Sequence, residues 1–297
     1  MTASHQASRR QARAGLFFTL PFMVVFTVML LIPLIYAAYV SLYQSTLVGG
    51  VHFSGLANYV QAFTDPLFLH GLLRMALFLV IQVPIMLGLA LFIALALDSG
   101  RVKGAKAVRL LTFMPYAVPG VVATLMWGYL YGDDFGPIAQ VTRAIGLGSP
   151  HLLSNANMLG SIMNVVTWEF VGYNMVIMYA ALRAIPTELY EAAAIDGAGA
   201  IRTALSIKVP NIRSAILLTV IFSIIGTFQL FNEPSLMRNL NPTAIDNAYT
   251  PNFYAYNLAF VNQDVNYAAA IAFALGLFIA IISYIVQLST SRRGATR

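Results

Sequence analysis

Cysteine is absent from the 297 residues. That excludes disulfides, thiolate zinc sites, cysteine nucleophiles and iron–sulfur ligation. Charge is scarce as well: Asp, Glu, Lys and Arg together make up 9%, against about 25% in soluble domains. An ordinary soluble enzyme and a disordered acidic tail are both excluded by that shortfall. No Gly-x-x-x-x-Gly-Lys-Ser/Thr run is present, so the chain has no phosphate-cradling loop of its own. His-Glu-x-x-His and Gly-x-Ser-x-Gly are also missing. The four histidines, His5, His52, His70 and His151, lack ligand spacing, and no residues read as metal ligands or catalytic groups.

What fills the chain is apolar. Hydrophobic residues reach 59% and mean hydropathy is +0.75. A span needs about 20 apolar residues, and six runs qualify. They cover about Gly15 to Leu42, Leu72 to Leu97, Leu110 to Tyr131, Met158 to Leu182, Ile212 to Leu230 and Tyr267 to Leu288. The first exceeds the apolar core of about 7–15 residues in a secretory signal, so it reads as a retained span. Pro21 and Pro33 within it are tolerable in a membrane helix. The expected fold is all-α and polytopic: residues 1–14 as a cytoplasmic segment, 15–290 as a six-helix membrane domain, and 291–297 as a tail.

The net charge of +6 follows from topology. Fourteen of the seventeen Lys and Arg residues fall before run one, between runs two and three, within 183–213, or after run six. Only Arg74, Arg143 and Arg238 lie elsewhere. The positive-inside rule then places both termini in the cytoplasm, in contact with a lipid bilayer, and removes the case for nucleic acid. Residues 231–265, rich in Asn and Pro, read as a long outer loop. Gly128-x-x-x-Gly132 is a weak helix-packing motif.

One cytoplasmic segment carries a specific pattern. Glu191-Ala192-Ala193 is followed by Asp196-Gly197, then by Ile207-Lys208-Val209-Pro210. This resembles the EAA loop of ATP-binding-cassette (ABC) importer permeases: EAA, three residues, Gly, nine residues, Ile-x-Leu-Pro. The single departure is Val209. The stretch Trp168 to Ile195, the run Thr227 to Asn232, and Tyr256 to Phe260 are similar to the maltose-type carbohydrate permeases. The resemblance spans about residues 15–290 and implies a MetI-like fold. It implies that Glu191, Ala192, Ala193, Asp196, Gly197, Ile207 and Pro210 couple the chain to a separate ATPase subunit. It further implies a second permease chain, two ATPase subunits that hold ATP and Mg, and an extracytoplasmic sugar-binding protein. The setting would be a bacterial or archaeal plasma membrane.

Glu169 is the one acidic residue clearly inside a run, and such groups face a cavity or a partner. Glu169, Phe170 and Tyr173 lie one turn apart on a helix. These positions, with Ser223, Thr227 and Leu230, match those lining the sugar site of the maltose-type permease. The residue types differ at Glu169, Phe170, Thr227 and Leu230, so location carries over better than sugar identity. For Glu169 a structural carboxyl is the alternative. Gln229, Asn232 and Glu233 read either as contacts for a binding protein or as solvation of a helix end. An ion-coupled secondary transporter would need more intramembrane charges and often a repeat. A permease for glycerol phosphate or a polyamine is the nearer alternative, though a phosphorylated solute favours cations along the path.

Overall fold

The computed structural model describes residues 15–46 and 49–295, with side chains through residue 289. The expected N-terminal segment 1–14 lies outside the described residues. Helix α1, Gly15–Val40, lies on the outside of the molecule. It holds a π turn at Thr27–Leu31. Pro33 has no N–H to offer, and the wider turn re-registers the ladder just before it.

A short antiparallel hairpin follows, β1 (Tyr43–Thr46) and β2 (Gly50–Phe53), with Tyr43 paired to Phe53. It is the one sheet among the described residues of an otherwise helical chain. Gly49 and Gly50 supply the positive φ values, +112° and +68°, of its turn. Two strands of four residues are too short for their alternation to be read from sequence. Asn58, on α2 (Ala57–Thr64), anchors the hairpin by donating to the carbonyls of Ser41 and Tyr43 at 2.9 and 2.7 Å.

Helix α3 runs from Pro66 to Asp98, about 50 Å at 1.5 Å per residue. Asp65 caps it by accepting from the Leu67 amide, and Pro66 occupies the first helical position, where no donor is needed. The third apolar run is not one straight helix. α4 (Ala105–Phe113) passes through a tight turn at Met114–Ala117, and α5 (Gly120–Leu130) leaves at 98°. Pro115 and Pro119 remove two donors. The residue before Pro119, Val118, is extended at ψ 129°, as a pre-proline residue prefers. α6 covers Pro137–Ala144.

Helix α7, Met158–Arg183, packs along α3. Met86, Ala90 and Ala94 of α3 meet Met175, Met178 and Leu182 of α7 in one core. Gly172 of α7 sits against the α4 backbone, where a Cβ would collide with the Thr112 carbonyl. After α7 come α8 (Thr187–Ile195) and α9 (Ala200–Asn211), then α10 (Arg213–Phe228), bent 68° from α9.

The polar stretch after α10 is not an open loop. It folds into α11 (Asn232–Leu240) and α12 (Pro251–Tyr256), the latter continuing as a π turn at Asn257–Val261. Thr250 caps α12 and donates to the Leu230 carbonyl at 2.8 Å. Met237 and Leu240 of α11 pack on Gly128 of α5. Gly128 therefore packs against a short helix between two spans. Helix α13, Val265–Ala295, closes the chain. Phe68, Phe78, Phe228, Met237 and Ile271 form the second core, towards the α11–α12 end. Among the described residues, four helices are long and apolar enough to cross a membrane, and counting each bent pair as one span gives six.

Candidate functional site

A cavity of about 420 Å³ opens between α3, the α4–α5 bend, α7, α10 and the start of α11. Of the six residues expected on the path, Phe170, Tyr173, Ser223, Thr227 and Leu230 line it. Phe170, Tyr173, Ser223 and Thr227 come from helix faces that repeat every three or four residues, and Leu230 follows the end of α10.

Glu169 does not line the cavity. It is 7% exposed and turns toward the α4–α5 bend, its Oε1 3.4 Å from where a Gly120 Cβ would stand. Asn232 also points at Gly120, its Nδ2 3.9 Å from the same position. Glu169 Oε2 has no hydrogen-bond partner among the described residues. A Cβ at position 120 would rest against this carboxyl at van der Waals distance.

Several lining residues escaped the sequence reading. Tyr116 stacks on Tyr173 with ring centroids 4.7 Å apart and meets the edge of Phe170 at 5.8 Å. Gln82 of α3 donates to Thr167 Oγ1 at 3.1 Å, and Asn174 donates to the Phe170 carbonyl at 2.9 Å. Both amides belong to the cavity wall. A signal existed for each: two amides inside apolar runs, and a tyrosine between prolines in a broken helix. Gln229, Asn232 and Glu233, read as residues at an outer helix end, also line the cavity, and Glu233 is buried.

The wall has no Lys or Arg among the described residues. Arg74, the cation nearest a run interior, is engaged elsewhere. It donates to the Tyr249 carbonyl at 2.7 Å, lies 4.2 Å over that ring, and faces Asp246 at 3.8 Å. Burial pushes the Tyr249 phenol up to about 12, the raising effect of Asp246 partly offsetting the lowering by Arg74. The arrangement can stack a flat apolar face and hydrogen-bond hydroxyls. No cationic side chain is present in it to neutralise an anion.

The second feature is the α8–α9 loop. Gly197 adopts φ +70°. The Ala198 amide donates to the Ala193 carbonyl at 2.9 Å, and the Gly197 amide donates to Ala194 at 3.1 Å. This double closure is the Schellman stop, and it requires the left-handed residue that Gly supplies. Glu191, Ala192 and Asp196 are exposed, Ala193 is buried, Ile207 is half-buried, and Pro210 is exposed at the end of α9. An apolar ridge that no motif marks lies beside them: Ile195 is 87% exposed and Ile201 78%. At the loop's base, Tyr190 donates to the Leu182 carbonyl at 3.5 Å. Burial raises its phenol, and Asp98 raises it further against a lowering by Arg183.

Residues 86–293 match the model of the binding-protein-dependent transport system inner membrane component. The chain belongs to this family. It is thus a membrane transport subunit of the ABC permease class. Among its relatives is the lactose transport system permease protein LacF of Rhizobium radiobacter, 30% identical over 91% of this chain and 92% of that protein. The arabinooligosaccharides transport system permease protein AraP of Bacillus subtilis (strain 168) is 31% identical over 93% and 88%. The crystal structure of a bacterial ABC transporter involved in the import of the acidic polysaccharide alginate contains a chain with the same fold. Its TM-score is 0.83 at 18% identity, covering 98% of this chain and 99% of that one. The MetI-like permease fold is therefore established.

Proposed function

We propose that this chain forms half of the solute path of a carbohydrate importer and couples it to ATP hydrolysis elsewhere. The observation that carries the reading is the cavity itself: Tyr116, Tyr173 and Phe170 beside Gln82, Asn174, Ser223 and Thr227, with no cationic side chain in the described wall. Aromatic faces and neutral donors and acceptors suit a polyol. The relatives named for lactose and arabinooligosaccharides support the same class. A sn-glycerol-3-phosphate permease of Brucella abortus is also similar, 29% identical over 73% of this chain. The cation-free wall favours the neutral sugar over the phosphate ester.

In this reading a second, different permease completes the path. Two ATPase subunits hold ATP and Mg, and the exposed Glu191 side of α8 with the Ile195–Ile201 ridge seats on one of them. An extracytoplasmic binding protein delivers the sugar. Both chain ends face the cytoplasm of a bacterial or archaeal cell, in keeping with the basic loops. Closure of the ATPases moves the α8–α9 loop, and the bent spans transmit that movement to the cavity.

The test is uptake into proteoliposomes holding this chain with its co-purified partners. Labelled lactose, diacetylchitobiose, arabino-oligosaccharide and glycerol 3-phosphate are offered in parallel. ATP-dependent accumulation of a neutral saccharide is expected. Accumulation of glycerol 3-phosphate alone would overturn the carbohydrate assignment.

A further inference from the structure

Asp98 is the last residue of α3, and its side chain is only 4% exposed. This is an unfavourable place for a carboxylate, because a helix C-terminus carries partial negative charge and burial strips the anion of water. Side chains from two other helices, α9 and α7, approach it. Lys208 Nζ of α9 donates to Oδ2 at 2.5 Å, with its own side chain 14% exposed. Arg183 at the end of α7 approaches Oδ1 at 4.0 Å but is 67% exposed. The Lys208 ammonium also sits 5.0 Å from the centre of the Tyr190 ring of α8.

The placement of Lys208 depends on local backbone. It ends a π turn, Ala204–Lys208, and such a turn shifts the residues after it around the helix axis. Lys208 is also the position that the EAA-loop pattern leaves open, between Ile207 and Val209. The loop is therefore joined to α3 by a contact outside its own motif. Arg183 adds little, since exposed pairs are worth near nothing. The Asp98–Lys208 contact differs, because removing either partner strands a charge that is largely out of water.

Two of the helices around this pair, α3 and α7, reach the cavity. α3 carries Gln82 and Met86 in the cavity wall, and α7 carries Phe170 and Tyr173. From Asp98 to Met86 is about 18 Å of uninterrupted helix. We infer that the Asp98–Lys208 pair is the tie that makes the α8–α9 loop and α3 move as one body, so that loop displacement reaches the cavity. Asp98 and Lys208 are positioning residues; neither touches the solute. The inference rests on the reading of the loop as the ATPase-docking element.

The test uses the purified complex with its partner subunits in proteoliposomes. The labelled saccharide is the one wild type accumulates from the panel above. Two quantities are read: saccharide delivered per ATP hydrolysed, and ATPase subunit retained on the tagged chain. Asp98→Asn and Lys208→Gln are each expected to lower the delivered ratio about fivefold or more, with the ATPase retained. The double variant Asp98→Lys with Lys208→Asp restores the attraction, and the exposed Arg183 can turn to water. It is expected to return the ratio to within about twofold of wild type. Single variants with a wild-type ratio would overturn the tie. So would a reversed pair no better than the weaker single, and that comparison holds even where a single variant fails to assemble. A wild-type chain that retains no ATPase would defeat the docking reading instead, an outcome distinct from either.

Discussion

Gly172→Ala should force α4 and α7 apart. The added Cβ would collide with the Thr112 carbonyl oxygen, and it would stand 2.6 Å from the Thr112 carbonyl carbon and 2.8 Å from Phe113 Cα. All three are backbone atoms, so no side chain can swing away, and α4 must shift as a unit. Overpacking of this kind costs about 1–3 kcal/mol. The shift also separates Tyr116 from Tyr173, because both lie within a turn or so of the clash and stack at 4.7 Å. An aromatic pair of this type is worth about 0.5–1.5 kcal/mol, or roughly a threefold to tenfold change in an equilibrium constant. The assay pairs thermal unfolding of the detergent-solubilised complex with the saccharide concentration giving half-maximal uptake. A lowered midpoint and a raised half-saturating concentration are expected together. Gly160→Ala is the control on the same helix: nothing lies within 4 Å of its Cβ, and Ala gains about 0.5–1 kcal/mol of helix preference. If Gly172→Ala and Gly160→Ala behave alike, the close α4–α7 approach is wrong.

Three further outcomes follow from particular residues. Tyr116→Ala should raise the half-saturating saccharide concentration about threefold or more while leaving expression near wild type, as the loss of one stacking surface implies; unchanged uptake kinetics would remove Tyr116 from the path. Gly197→Val puts a β-branched residue at φ +70°, at a cost of about 1–2 kcal/mol or more, and should reduce ATPase recovery on the tagged chain without affecting membrane insertion. Full ATPase recovery would show the Schellman turn to be dispensable for docking. Glu169→Gln keeps the shape beside Gly120 and replaces a carboxyl whose Oε2 is buried without a partner among the described residues, so thermal stability should hold or rise, whereas Glu169→Ala leaves a void and should lower it. A reversed order of the two midpoints would contradict the placement of this carboxyl outside the cavity.

The apolar runs located the long helices well, because each must bury or present about 20 apolar residues. The run Met158 to Leu182 and the helix Met158–Arg183 differ by one residue. Bends were another matter. Pro115, Pro119 and Pro210 are visible in the sequence, but a proline reports a missing donor rather than an angle, so the 98° and 68° bends could not be read from them. Helices α11 and α12 were hidden by composition: Asn and Pro predominate around them, and their apolar faces are only Met237, Phe253 and Tyr254 deep. Within the cavity, positions on one helix face were legible by periodicity. Tyr116 and Gln82 were not, since they meet α7 from distant parts of the chain. Asp98 and Lys208 are 110 residues apart, and nothing local in either sequence anticipates the pairing.

Native co-purification tests the central claim most directly. The tagged chain is extracted in a mild detergent and every associated polypeptide is identified by mass spectrometry. The account predicts a second permease and an ABC ATPase subunit in stable stoichiometry, with ATP hydrolysis by the eluted complex. Recovery of this chain in a stable complex containing neither, together with saccharide uptake driven by an ion gradient, would contradict it.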